Sequence, residues 1–412
     1  MEQIGVVGAG ASGMMAAIAA AEKGGRVTVL ERQDRVGKKI LATGNGRCNL
    51  SNRDLEPKRD YPGSDPKRLS AWFGRFGVQD TVDFFESRGL LIVDKNGYLY
   101  PRNLQASAVL ELLRAQLERL AVRQVCSCKV LHIRREGRFV VQTDNGEYLF
   151  DRLILSCGSR AGQPEGRSCD GFDLAAGLGL PVVEPLPALT ALVCEGRFWK
   201  ELAGVRCQAR IGLRICCKGR KQEYEETGEL QLTEYGISGI PVFQLSRFAS
   251  RALAQKAQVT ACIDFFPEYD EAGFCALMDR QIRACRDTSL EWLAYGMLPK
   301  KVAQVLLKSC GLRPQSLVQE TQEGQIRAFF ERARAFGVSV IRPNPLSQSQ
   351  VCTGGVPLTQ IGDDFGVRKI PGLYLCGEML DVDGRCGGYN LQWAWSSGYL
   401  AGLSVAGKAD QA

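Results

Sequence analysis

Short apolar runs alternate with helix-favouring stretches at the start of the chain. A β-branched run at residues 4–7 is followed by Gly8, Gly10 and Gly13, then by the alanine-rich stretch MMAAIAAAEKGG and a second apolar run, VTVLE, that ends at Glu31. This order predicts a strand, a tight glycine turn, a helix and a second strand. Further along, DTVDFFESRG and SAVLELLRAQLERLAV carry apolar residues at helical spacing and predict two more helices.

The pattern changes to paired strands between residues 122 and 154, in KVLHI, RFVVQT and EYLFDRLILS, with DNG as a turn. The proline-rich stretch LPVVEPLPAL near Leu180 predicts that the chain leaves its first domain there. Strand-like segments follow in RCQARIGLRICC, EYEETGELQLT and VTACIDFF, then helical texture from about Asp270 to Phe336, and strand character returns in GLYLCGE. We therefore predict an α/β protein whose first domain, residues 1–188 and 341–412, surrounds an inserted β-rich domain, 189–268, and an inserted helical segment, 269–340.

Composition narrows the class of protein. The 412-residue chain is 45% apolar, enough for two or three domain cores. Its net charge of +7 comes from basic residues scattered among acidic ones, so we predict no nucleic-acid partner. The 16 cysteines include no C-x-x-C pair and His132 is the single histidine, so no metal site is predicted.

The start of the sequence and its cysteine pattern bear on location. The stretch MEQIGVVGAG begins a strand at once and leaves no room for a signal peptide, and no apolar run of about 18 residues could span a membrane. The spacing of the cysteines is typical of small core residues rather than of a disulfide scaffold. We therefore predict a cytoplasmic protein without a membrane span, and the sequence leaves its oligomeric state open.

The glycine triplet has the context of a dinucleotide-binding fold. It follows a predicted strand and opens a helix, and Glu31 ends the next strand about 20 residues further on. Gly8 turns the chain, Gly10 lets a pyrophosphate approach the backbone, and Gly13 lets helix and strand pack closely. The helix N-terminus offers N–H groups and positive dipole to the phosphates. Glu31 would accept the ribose hydroxyls of an adenosine, and FAD and NAD both remain open at this point.

Two further glycine-rich segments lie far apart in the sequence. TGNGRCNLSN, residues 43–52, is the N-terminal glycine segment, and GEMLDVDGRCGGYNLQWAWSSG, residues 377–398, is the C-terminal glycine segment. A simple nicotinamide enzyme gives no reason for such segments at both ends of the chain. Extended FAD needs pyrophosphate, ribityl and isoalloxazine contacts from distant parts of a protein. We therefore predict that the two segments come together around one FAD.

Five motifs carry a resemblance to a known family: GVVGAGASGMMAA, GKKILATGNGRCNLSN, LTEYGISG, CTGGV and LYLCGEMLDVDGRCGGYNLQWAWSSG. In this order they resemble the signatures of the BaiN-like flavoproteins, the aminoacetone oxidase family, nearly from end to end. The resemblance implies a glutathione-reductase-like Rossmann FAD-binding domain interrupted by a β-barrel-like domain and a small helical domain. One departure is LSCG at residues 155–158, where such flavoproteins usually have A-T-G.

The resemblance also implies where FAD is held. The phosphates would lie on residues 10–13, the ribose on Glu31, the adenine against the backbone of Val130, and the flavin end against the two glycine segments. The cofactor-binding residues implied are Gly8, Gly10, Ala11, Ser12, Gly13, Glu31, Arg32, Lys38, Lys39, Thr43, Gly44, Asn45, Gly46, Arg47, Cys48, Asn49, Val130, Gly158, Gly377, Glu378, Asp381, Gly387, Gly388, Tyr389, Asn390 and Leu391.

The chemistry implied by the resemblance is that of a flavin-dependent oxidoreductase acting on CH–CH bonds. Its substrate would be a steroid enone, a 3-oxo steroid whose conjugated C=C bonds are reduced as in a 3-dehydro-bile acid delta(4,6)-reductase. Hydride from NAD(P)H would pass through flavin N5, and NAD(P)H would visit only transiently because no second G-x-G-x-x-G is present. Three alternatives stay open: an aminoacetone-type amine oxidase using oxygen, an FAD-dependent RNA-modifying protein, and an FAD-binding module without turnover.

Few residue types can deliver a proton to the substrate of such an enzyme. With its single histidine in a strand pattern, the chain must use tyrosine, cysteine, lysine, a carboxylate or water. Tyr389, Tyr235 and Cys48 are the predicted catalytic residues, with Asp383 as a further candidate near the C-terminal glycine segment. Cys48 has no second cysteine nearby, so thiol–disulfide exchange is disfavoured. Arg47 would hold an anionic pyrophosphate or the negative N1 region of a reduced flavin.

Overall fold

The computed structural model describes residues 2–163, 170–217 and 219–407. The chain divides into two compact units, each with its own apolar core. The first unit contains Met1–Pro185 and Val351–Ala412, and the second contains Leu186–Gln350. The first unit is therefore built from both ends of the sequence.

The regular elements are numbered here in chain order. The strands are β1 (Gln3–Val7), β2 (Arg26–Leu30), β3 (Ser51–Asn52), β4 (Ile92–Lys95), β5 (Tyr98–Pro101), β6 (Arg123–Val125), β7 (Val130–Glu136), β8 (Arg138–Thr143), β9 (Gly146–Phe150), β10 (Arg152–Leu155), β11 (Val183–Ala188), β12 (Leu192–Cys194), β13 (Arg206–Cys217), β14 (Arg220–Thr233), β15 (Gly236–Ser238), β16 (Gln258–Asp264), β17 (Phe336–Pro343), β18 (Val351–Gly355) and β19 (Leu373–Leu375). The α-helices are α1 (Ala11–Glu22), α2 (Lys38–Leu41), α3 (Pro57–Asp60), α4 (Pro66–Phe73), α5 (Val78–Glu86), α6 (Ala106–Arg119), α7 (Gly171–Gly177), α8 (Trp199–Leu202), α9 (Ile240–Ala254), α10 (Glu271–Ala284), α11 (Leu290–Tyr295), α12 (Lys300–Ser309), α13 (Glu323–Arg334) and α14 (Tyr389–Gly407).

A parallel sheet of five strands, in the order β19, β10, β1, β2, β6, forms the centre of the first unit. The β-branched run of β1 lies in the middle, with Val6 aligned with Ile154 on one side and Val29 on the other. All three side chains are fully buried. Complete burial on both faces explains why these strands are continuous apolar runs rather than alternating ones. The predicted strand, glycine turn, helix and strand are present as β1, α1 and β2.

Two antiparallel sheets accompany the parallel one, β3–β5–β4 and β7–β8–β9. The run EYLFDRLILS, predicted as one strand, contains two strands of different sheets, β9 and β10. The break falls at Asp151, whose carboxylate accepts a hydrogen bond from the Gln3 N–H at 2.7 Å. This bond fixes the start of β10 beside β1, so the chain leaves one sheet and enters the other within a single residue.

Helices α1 and α14 pack with their backbones in contact. A Cβ atom added to Gly398 would lie 2.3 Å from the carbonyl oxygen of Ser12, and one added to Gly402 would lie 2.3 Å from that of Ala16. Glycine at these two positions of α14 therefore permits a distance that no other residue allows. The contact joins the helix that follows the glycine turn to the helix that ends the described chain.

The second unit contains a closed barrel in the order β12, β15, β14, β13, β16, β17. Alternation along β13 turns Ala209, Ile211, Leu213 and Ile215 into the core. The barrel is closed by β17, which follows the helices α10–α13 in the sequence. The stretch predicted as helical up to residue 340 therefore ends in a barrel strand, because the alternating FGVSVIRP pairs with β16 and β12.

The sequence analysis did not predict the long helix α9, which lies within residues 189–268, the part of the chain assigned as β-rich. Helix α9 begins after Gly239, which has a φ of 101°, and carries Pro241 in its first turn. Val242, Leu245 and Ala249 are buried in the core of this unit. The α/β fold with a Rossmann-type parallel sheet and an inserted barrel is confirmed.

Two kinds of feature are absent from the described residues. Among them, no helix combines the length and apolar character needed to cross a bilayer. Nor do residues 2–163, 170–217 and 219–407 bring together three or more histidine, cysteine or acidic side chains in an arrangement that could hold a metal ion.

Candidate functional site

The turn between β1 and α1 uses its three glycines for different reasons. Gly8 has a φ of 94°, a conformation that favours glycine. A Cβ on Gly13 would lie 1.9 Å from the Gly8 carbonyl oxygen, so the turn itself forbids a side chain there. At Gly10, by contrast, an added Cβ would meet no atom within 4 Å. The space beside Gly10 is therefore open to a ligand that approaches the backbone.

The N-terminus of α1 faces this space without a cap. Gly10 is the N-cap residue and no side chain bonds to the first turn, which also contains no acidic residue. The N–H groups of Ala11, Ser12 and Gly13 have no partners within the helix, as in every α-helix. Together with the dipole of a 12-residue helix, they form a site suited to a diphosphate.

Glu31 lies at the end of β2 and contacts the glycine turn. Its Oε2 accepts a hydrogen bond from the Ala9 N–H at 2.8 Å, and its Oε1 accepts one from the Gln33 N–H at 2.8 Å. The residue is 9% exposed. Because a carboxylate offers about four lone pairs, Glu31 can hold the turn in place and still accept ribose hydroxyls.

The residues predicted to bind the adenosine end lie near Glu31. The Cys128 N–H donates to the Glu31 carbonyl oxygen at 2.9 Å, and Val130 begins β7 two residues later. The Arg32 guanidinium donates to the Gln163 side-chain oxygen. The structure thus brings Glu31, Arg32 and the Val130 backbone to one edge of the parallel sheet.

A second cluster joins three distant parts of the first unit. Lys39 Nζ lies 2.8 Å from Glu378 Oε2, and the Ser159 hydroxyl donates to the same oxygen at 3.0 Å. A Cβ on Gly158 would lie 3.7 Å from it. The predicted residues Lys39, Gly158 and Glu378 therefore meet, and Ser159 joins them although the sequence did not single it out.

Two predicted residues have other immediate neighbours. Lys38 pairs with the exposed Asp34 at 2.5 Å. Gly377 has a φ of 65°, and a Cβ there would lie 2.3 Å from the Ser12 hydroxyl oxygen. Gly377 therefore allows the C-terminal glycine segment to contact the first turn of α1.

The two glycine segments meet, as expected for a shared ligand. A Cβ on Gly388 would lie 2.6 Å from the Ser51 carbonyl group. The Trp395 indole N–H donates to the Leu50 carbonyl oxygen at 3.0 Å, and the Ser51 hydroxyl donates to Gln392 Oε1 at 2.6 Å. The segments are thus joined by backbone contact and by buried hydrogen bonds across more than 300 residues of sequence.

The N-terminal glycine segment presents mostly backbone. Gly44, Asn45, Gly46 and Cys48 all have positive φ angles, and Gly44 to Gly46 are exposed. The Thr43 hydroxyl donates to the Ile40 carbonyl oxygen at 2.6 Å, which fixes the start of the turn. A run of left-handed residues leaves peptide groups rather than side chains on the surface. Such a surface suits a flat ring that lies against the backbone.

Cys48 is part of the core rather than of this surface. Its side chain is fully buried, and burial raises the pKa of the thiol to about 12, opposed only by a hydrogen bond with Thr43. A raised cysteine pKa means that the neutral thiol is favoured and that the reactive thiolate is scarce at neutral pH. The structure therefore disfavours the predicted catalytic role of Cys48.

Alkylation tests this conclusion. Because burial raises the pKa of the Cys48 thiol to about 12, we expect iodoacetamide at pH 8 to label the exposed Cys216 and Cys275 long before Cys48. Labelling of Cys48 should increase as the pH rises toward 12, because the thiolate then forms. Peptide mass spectrometry of the FAD-free protein measures the rates. Equal labelling of Cys48 and Cys275 at pH 8 would contradict the burial of this thiol.

Gln392 holds the site together and was missed by the sequence analysis. It is fully buried, and its amide donates to the Thr81 hydroxyl at 2.8 Å and to the Ser396 hydroxyl at 2.9 Å while its oxygen accepts from Ser51. A glutamine inside an otherwise apolar helix is the signal that could have indicated it. It links the start of α14 to the N-terminal glycine segment.

Helix α3 and the residue after it fix the loop before α14. The Tyr61 hydroxyl donates to the Tyr389 carbonyl oxygen at 2.7 Å, and the Arg385 N–H donates to the Asp60 carbonyl oxygen at 2.9 Å. Burial raises the pKa of Tyr61 well above its ordinary value, so this phenol is a permanent donor. Two backbone groups of the loop are thereby held from one short segment.

The side chains of two further predicted residues, Asn390 and Asp381, form hydrogen bonds with backbone groups. The Asn390 amide oxygen accepts from the Gly384 N–H at 2.8 Å, and its nitrogen donates to the carbonyl oxygens of Gly384 and Arg385. Asp381 Oδ1 accepts from the Gly354 N–H at 3.0 Å. The side chains of Asn390 and Asp381 therefore shape the C-terminal glycine segment, and Leu391 follows in the first turn of α14.

The two predicted catalytic tyrosines belong to different units. Tyr389 is 8% exposed at the start of α14, and burial raises its pKa. Tyr235 lies between β14 and β15 of the second unit, where its hydroxyl accepts a hydrogen bond from Asn344 at 3.1 Å. Of the two, Tyr389 adjoins the meeting point of the glycine segments.

Asn49 provides an independent sign that this meeting point takes a ligand. The residue is 9% exposed, and within the described residues its side-chain oxygen has no hydrogen-bond partner. A Cβ on Gly388 would lie 2.8 Å from that oxygen. An unpaired buried acceptor is costly, and FAD offers donors in its ribityl hydroxyls and ring N–H. The open space at Gly10, the uncapped α1 and the unpaired Asn49 oxygen all fit FAD.

Replacing Asn49 by leucine should separate stability from cofactor binding. Without FAD, we expect Asn49→Leu to raise the free energy of unfolding by about 1 kcal/mol, because an unpaired buried acceptor is removed. With FAD, we expect binding to weaken about fivefold or more, because one hydrogen bond is lost. Urea unfolding and a fluorescence titration measure the two effects.

Asn390→Leu is the matched control for this substitution. Because its amide makes three hydrogen bonds within the loop, the change should lower the stability of the FAD-free protein. An Asn49→Leu protein with unaltered FAD affinity would show that the unpaired oxygen does not face the cofactor.

Comparison with known proteins agrees with this architecture. Residues 2–404 match the family described as the HI0933-like protein Rossmann domain. The chain is 38% identical over 410 residues to the 3-dehydro-bile acid delta(4,6)-reductase of Clostridium scindens, covering 98% of this chain and 99% of the relative.

More distant relatives have another name. The chain is 25% identical over 414 residues to the ribosomal RNA dihydrouridine synthase of Haemophilus influenzae, covering 97% of this chain and 98% of the relative. It is 27% identical over 400 residues to the ribosomal RNA dihydrouridine synthase of Escherichia coli, covering 96% and 95%. All three relatives are therefore similar along nearly the whole chain.

Proposed function

Because the chain belongs to the HI0933-like Rossmann-domain family, we propose that it is an FAD-dependent oxidoreductase that reduces a C=C bond conjugated with a carbonyl group. The observation that carries the proposal is the meeting of the two glycine segments beside the uncapped N-terminus of α1. The 38% identity to a bile acid reductase supports a 3-oxo steroid as the substrate. The fold by itself hosts many reactions, so the substrate rests on the relative.

In this proposal, different segments of the first unit bind different parts of FAD. The N-terminus of α1 holds the diphosphate, Glu31 the ribose, and the N-terminal glycine segment with the start of α14 the flavin end. FAD, when bound, supplies hydride transfer through N5 of its ring. The N-terminus of the 19-residue α14 favours negative charge nearby, by about 0.3–1 kcal/mol when exposed and up to about 2 kcal/mol when partly buried. The protein's task is to orient the substrate and supply one proton.

The reductant in this proposal is NAD(P)H, which binds transiently and leaves before the substrate enters. Anaerobic mixing tests it: NADH or NADPH should bleach the flavin absorption band of the FAD-loaded protein. Subsequent addition of a steroid enone should restore the band with formation of the saturated product. Failure of both nicotinamides to bleach the band would remove this reductant from the proposal, and dithionite would then serve to test the enone step alone.

The same anaerobic experiment distinguishes the proposed reductase from an amine oxidase. An aminoacetone-type enzyme would bleach its flavin with a small amine and release hydrogen peroxide when oxygen is admitted. Peroxide formation with amines, together with no reoxidation by enones, would overturn the reductase proposal in favour of the oxidase.

Ribosomal RNA is the second candidate substrate, favoured by the two dihydrouridine synthases among the relatives. The uracil ring also contains a C=C bond conjugated with a carbonyl group, so the same chemistry would serve. Dihydrouridine formation in ribosomal RNA incubated with the reduced protein is the distinguishing measurement. We favour the steroid because the more similar relative is the bile acid enzyme.

The thiol content supports a cytoplasmic location, which we include in the proposal. Every cysteine among the described residues is free, as expected in a reducing compartment. Fractionation of the cells that make the protein is the direct test, and recovery of the protein with disulfide-bonded extracellular material would contradict it.

A further inference from the structure

Three polar side chains near the glycine segments have no partner. Within residues 2–163, 170–217 and 219–407, the hydroxyls of Tyr98 and Tyr100 and the guanidinium of Arg47 take part in no hydrogen bond or ion pair. Nearby, Lys39 is paired with Glu378 and the Tyr61 hydroxyl with the Tyr389 carbonyl oxygen, whereas the Asn49 side-chain oxygen also lacks a partner among the described residues. Free donors beside an engaged network are what a ligand site leaves for its ligand.

Strand β5 presents its two tyrosines on one face. Side chains alternate along a strand, so Tyr98 and Tyr100 point to one side and Leu99 points to the other. Leu99 is 3% exposed and pairs with Ser51 of the N-terminal glycine segment, whereas Tyr98 is 38% exposed. Backbone pairing therefore anchors the strand to the cofactor-binding segment, while Leu99 is buried, the Tyr98 phenol is accessible and Tyr100 is partly exposed.

The Tyr98 ring lies against the C-terminal glycine segment. A Cβ on Gly387 would lie 2.8 Å from Tyr98 Cε1 and 3.2 Å from Tyr389 Cε2. Gly387 also has a φ of 129°. Glycine is therefore required there for two reasons, the closeness of the two rings and the backbone conformation. The Tyr98 ring is thus placed within van der Waals distance of the backbone predicted to line the flavin.

Arg47 belongs to the N-terminal glycine segment, which is bonded to β5. Burial raises the pKa of Tyr100, the neighbouring Tyr98 adds to this rise, and the positive charge of Arg47 opposes it. Arg47 is exposed and lies three residues before Leu50, whose N–H donates to the Leu99 carbonyl oxygen of β5 at 2.8 Å. Arg47 and the two phenols therefore lie on neighbouring segments at the end of the site predicted to hold the flavin.

We infer that Arg47 and Tyr100 bind the carbonyl oxygen of the substrate and stabilise the enolate that forms when the conjugated C=C bond is reduced, and that Tyr98 supplies the proton to the α carbon. This inference rests on the proposed function and names the substrate class of that site, a small-molecule enone. Hydrogen-bond donors aimed at an oxygen that gains charge during the reaction are the usual source of such stabilisation. A cation and a neutral O–H donor complement the negative charge of an oxyanion.

The reaction balances with one hydride and one proton. The hydride that the reduced cofactor supplies forms a C–H bond at the β carbon, and the π electrons of the C=C bond move to the carbonyl oxygen. The Tyr98 O–H bond then breaks, and its proton forms a C–H bond at the α carbon as the carbonyl is restored. Water reprotonates the Tyr98 phenolate. The substrate gains two electrons and two hydrogens, and NAD(P)H is the ultimate reductant.

Binding of 4-chlorophenol to the oxidised FAD-loaded protein tests the oxyanion site without turnover. Its phenolate resembles an enolate, and stacking on oxidised flavin produces long-wavelength absorption that can be titrated. We expect Arg47→Met to weaken this binding at least about tenfold, because a charge-assisted contact is lost, and Tyr100→Phe to weaken it by a smaller factor. Tyr148→Phe, on β9, is the matched control and should bind as the wild type does.

Reoxidation of the dithionite-reduced protein tests the proton donor. With 4-androstene-3,17-dione as the enone, we expect Tyr98→Phe to slow reoxidation about a hundredfold. Reoxidation by ferricyanide, which needs no proton donor to carbon, should be unchanged in the same variant. The FAD content of each variant is measured first, so that cofactor loss is not mistaken for a slow reaction.

The outcomes separate this inference from the proposed function. Wild-type reoxidation by the enone, with Tyr98→Phe and Arg47→Met both at the wild-type rate, would overturn the inference and leave the proposed function in place. No reoxidation of the wild type by any enone would overturn the proposed function, and the 4-chlorophenol titration would then decide the oxyanion site alone. Loss of FAD from Arg47→Met, with normal 4-chlorophenol binding after FAD is restored, would assign Arg47 to the cofactor and overturn its role here.

Discussion

Gly10→Val is expected to weaken FAD binding about a hundredfold while the first unit stays folded. The space beside Gly10 is open, and its φ of −78° is one that valine can adopt. The added side chain would stand where a diphosphate approaches the first turn of α1. Losing charge-assisted hydrogen bonds worth about 1.5–3 kcal/mol each accounts for the expected factor. Equilibrium dialysis with FAD and urea unfolding of the FAD-free protein measure the two properties.

Gly337→Val is the matched control for Gly10→Val. Gly337 lies on β17 of the second unit, is exposed, and has equally open surroundings. Its replacement by valine should change neither FAD affinity nor stability appreciably. The FAD-free Gly10→Val protein should lose no more than about 1 kcal/mol of stability, since glycine is a modest N-cap. Wild-type FAD affinity in Gly10→Val would mean that the diphosphate does not lie at α1.

Gly398→Ala is expected to destabilise the first unit by about 3 kcal/mol, the upper end of the range for an overpacked core. The new methyl group would lie 2.3 Å from the Ser12 carbonyl oxygen and 3.0 Å from the Ser12 Cα, both backbone atoms that cannot move alone. Helices α1 and α14 would have to separate. Because these helices carry the two ends of the cofactor site, FAD affinity should fall together with stability, in contrast to Gly10→Val.

Gly407→Ala in the same helix is the control for this substitution. No atom lies within 4 Å of a Cβ added at Gly407, and the residue is exposed. Alanine is the better helix former by up to about 1 kcal/mol, so the free energy of unfolding should be unchanged or slightly raised. Thermal or urea unfolding of the two variants compares them directly. A Gly398→Ala protein as stable as Gly407→Ala would contradict the backbone contact between α1 and α14.

Local patterns were sufficient to predict the elements around the glycine turn. Residues 4–31 form their strand, helix and strand because the apolar runs are continuous and the glycines are spaced for one purpose. The pattern predicted one strand in EYLFDRLILS, where two strands are joined without a turn signal. The run divides at Asp151 because of a hydrogen bond with Gln3, 148 residues away in sequence. Strand β17 was placed in the helical segment for a related reason, since its pairing with β12 and β16 joins distant parts of the chain.

The candidate site shows the same division. The glycines and Glu31 could be predicted because the conformation or contact required of each depends on residues nearby in the sequence. Gln392 and Tyr61 could not, because their partners Ser51 and Tyr389 lie 341 and 328 residues away. The predicted role of Cys48 was weakened by burial, a property that a glycine-rich sequence gives no means to judge.

The order in which the chain is made adds a consequence to the discontinuous first unit. Strand β1 pairs with β10, but β19 completes that edge of the sheet, and α14 covers α1. During synthesis, residues 373–407 leave the ribosome only after the whole of the second unit has emerged. The nascent first unit must therefore wait with an uncovered apolar helix, which is the condition that attracts chaperones.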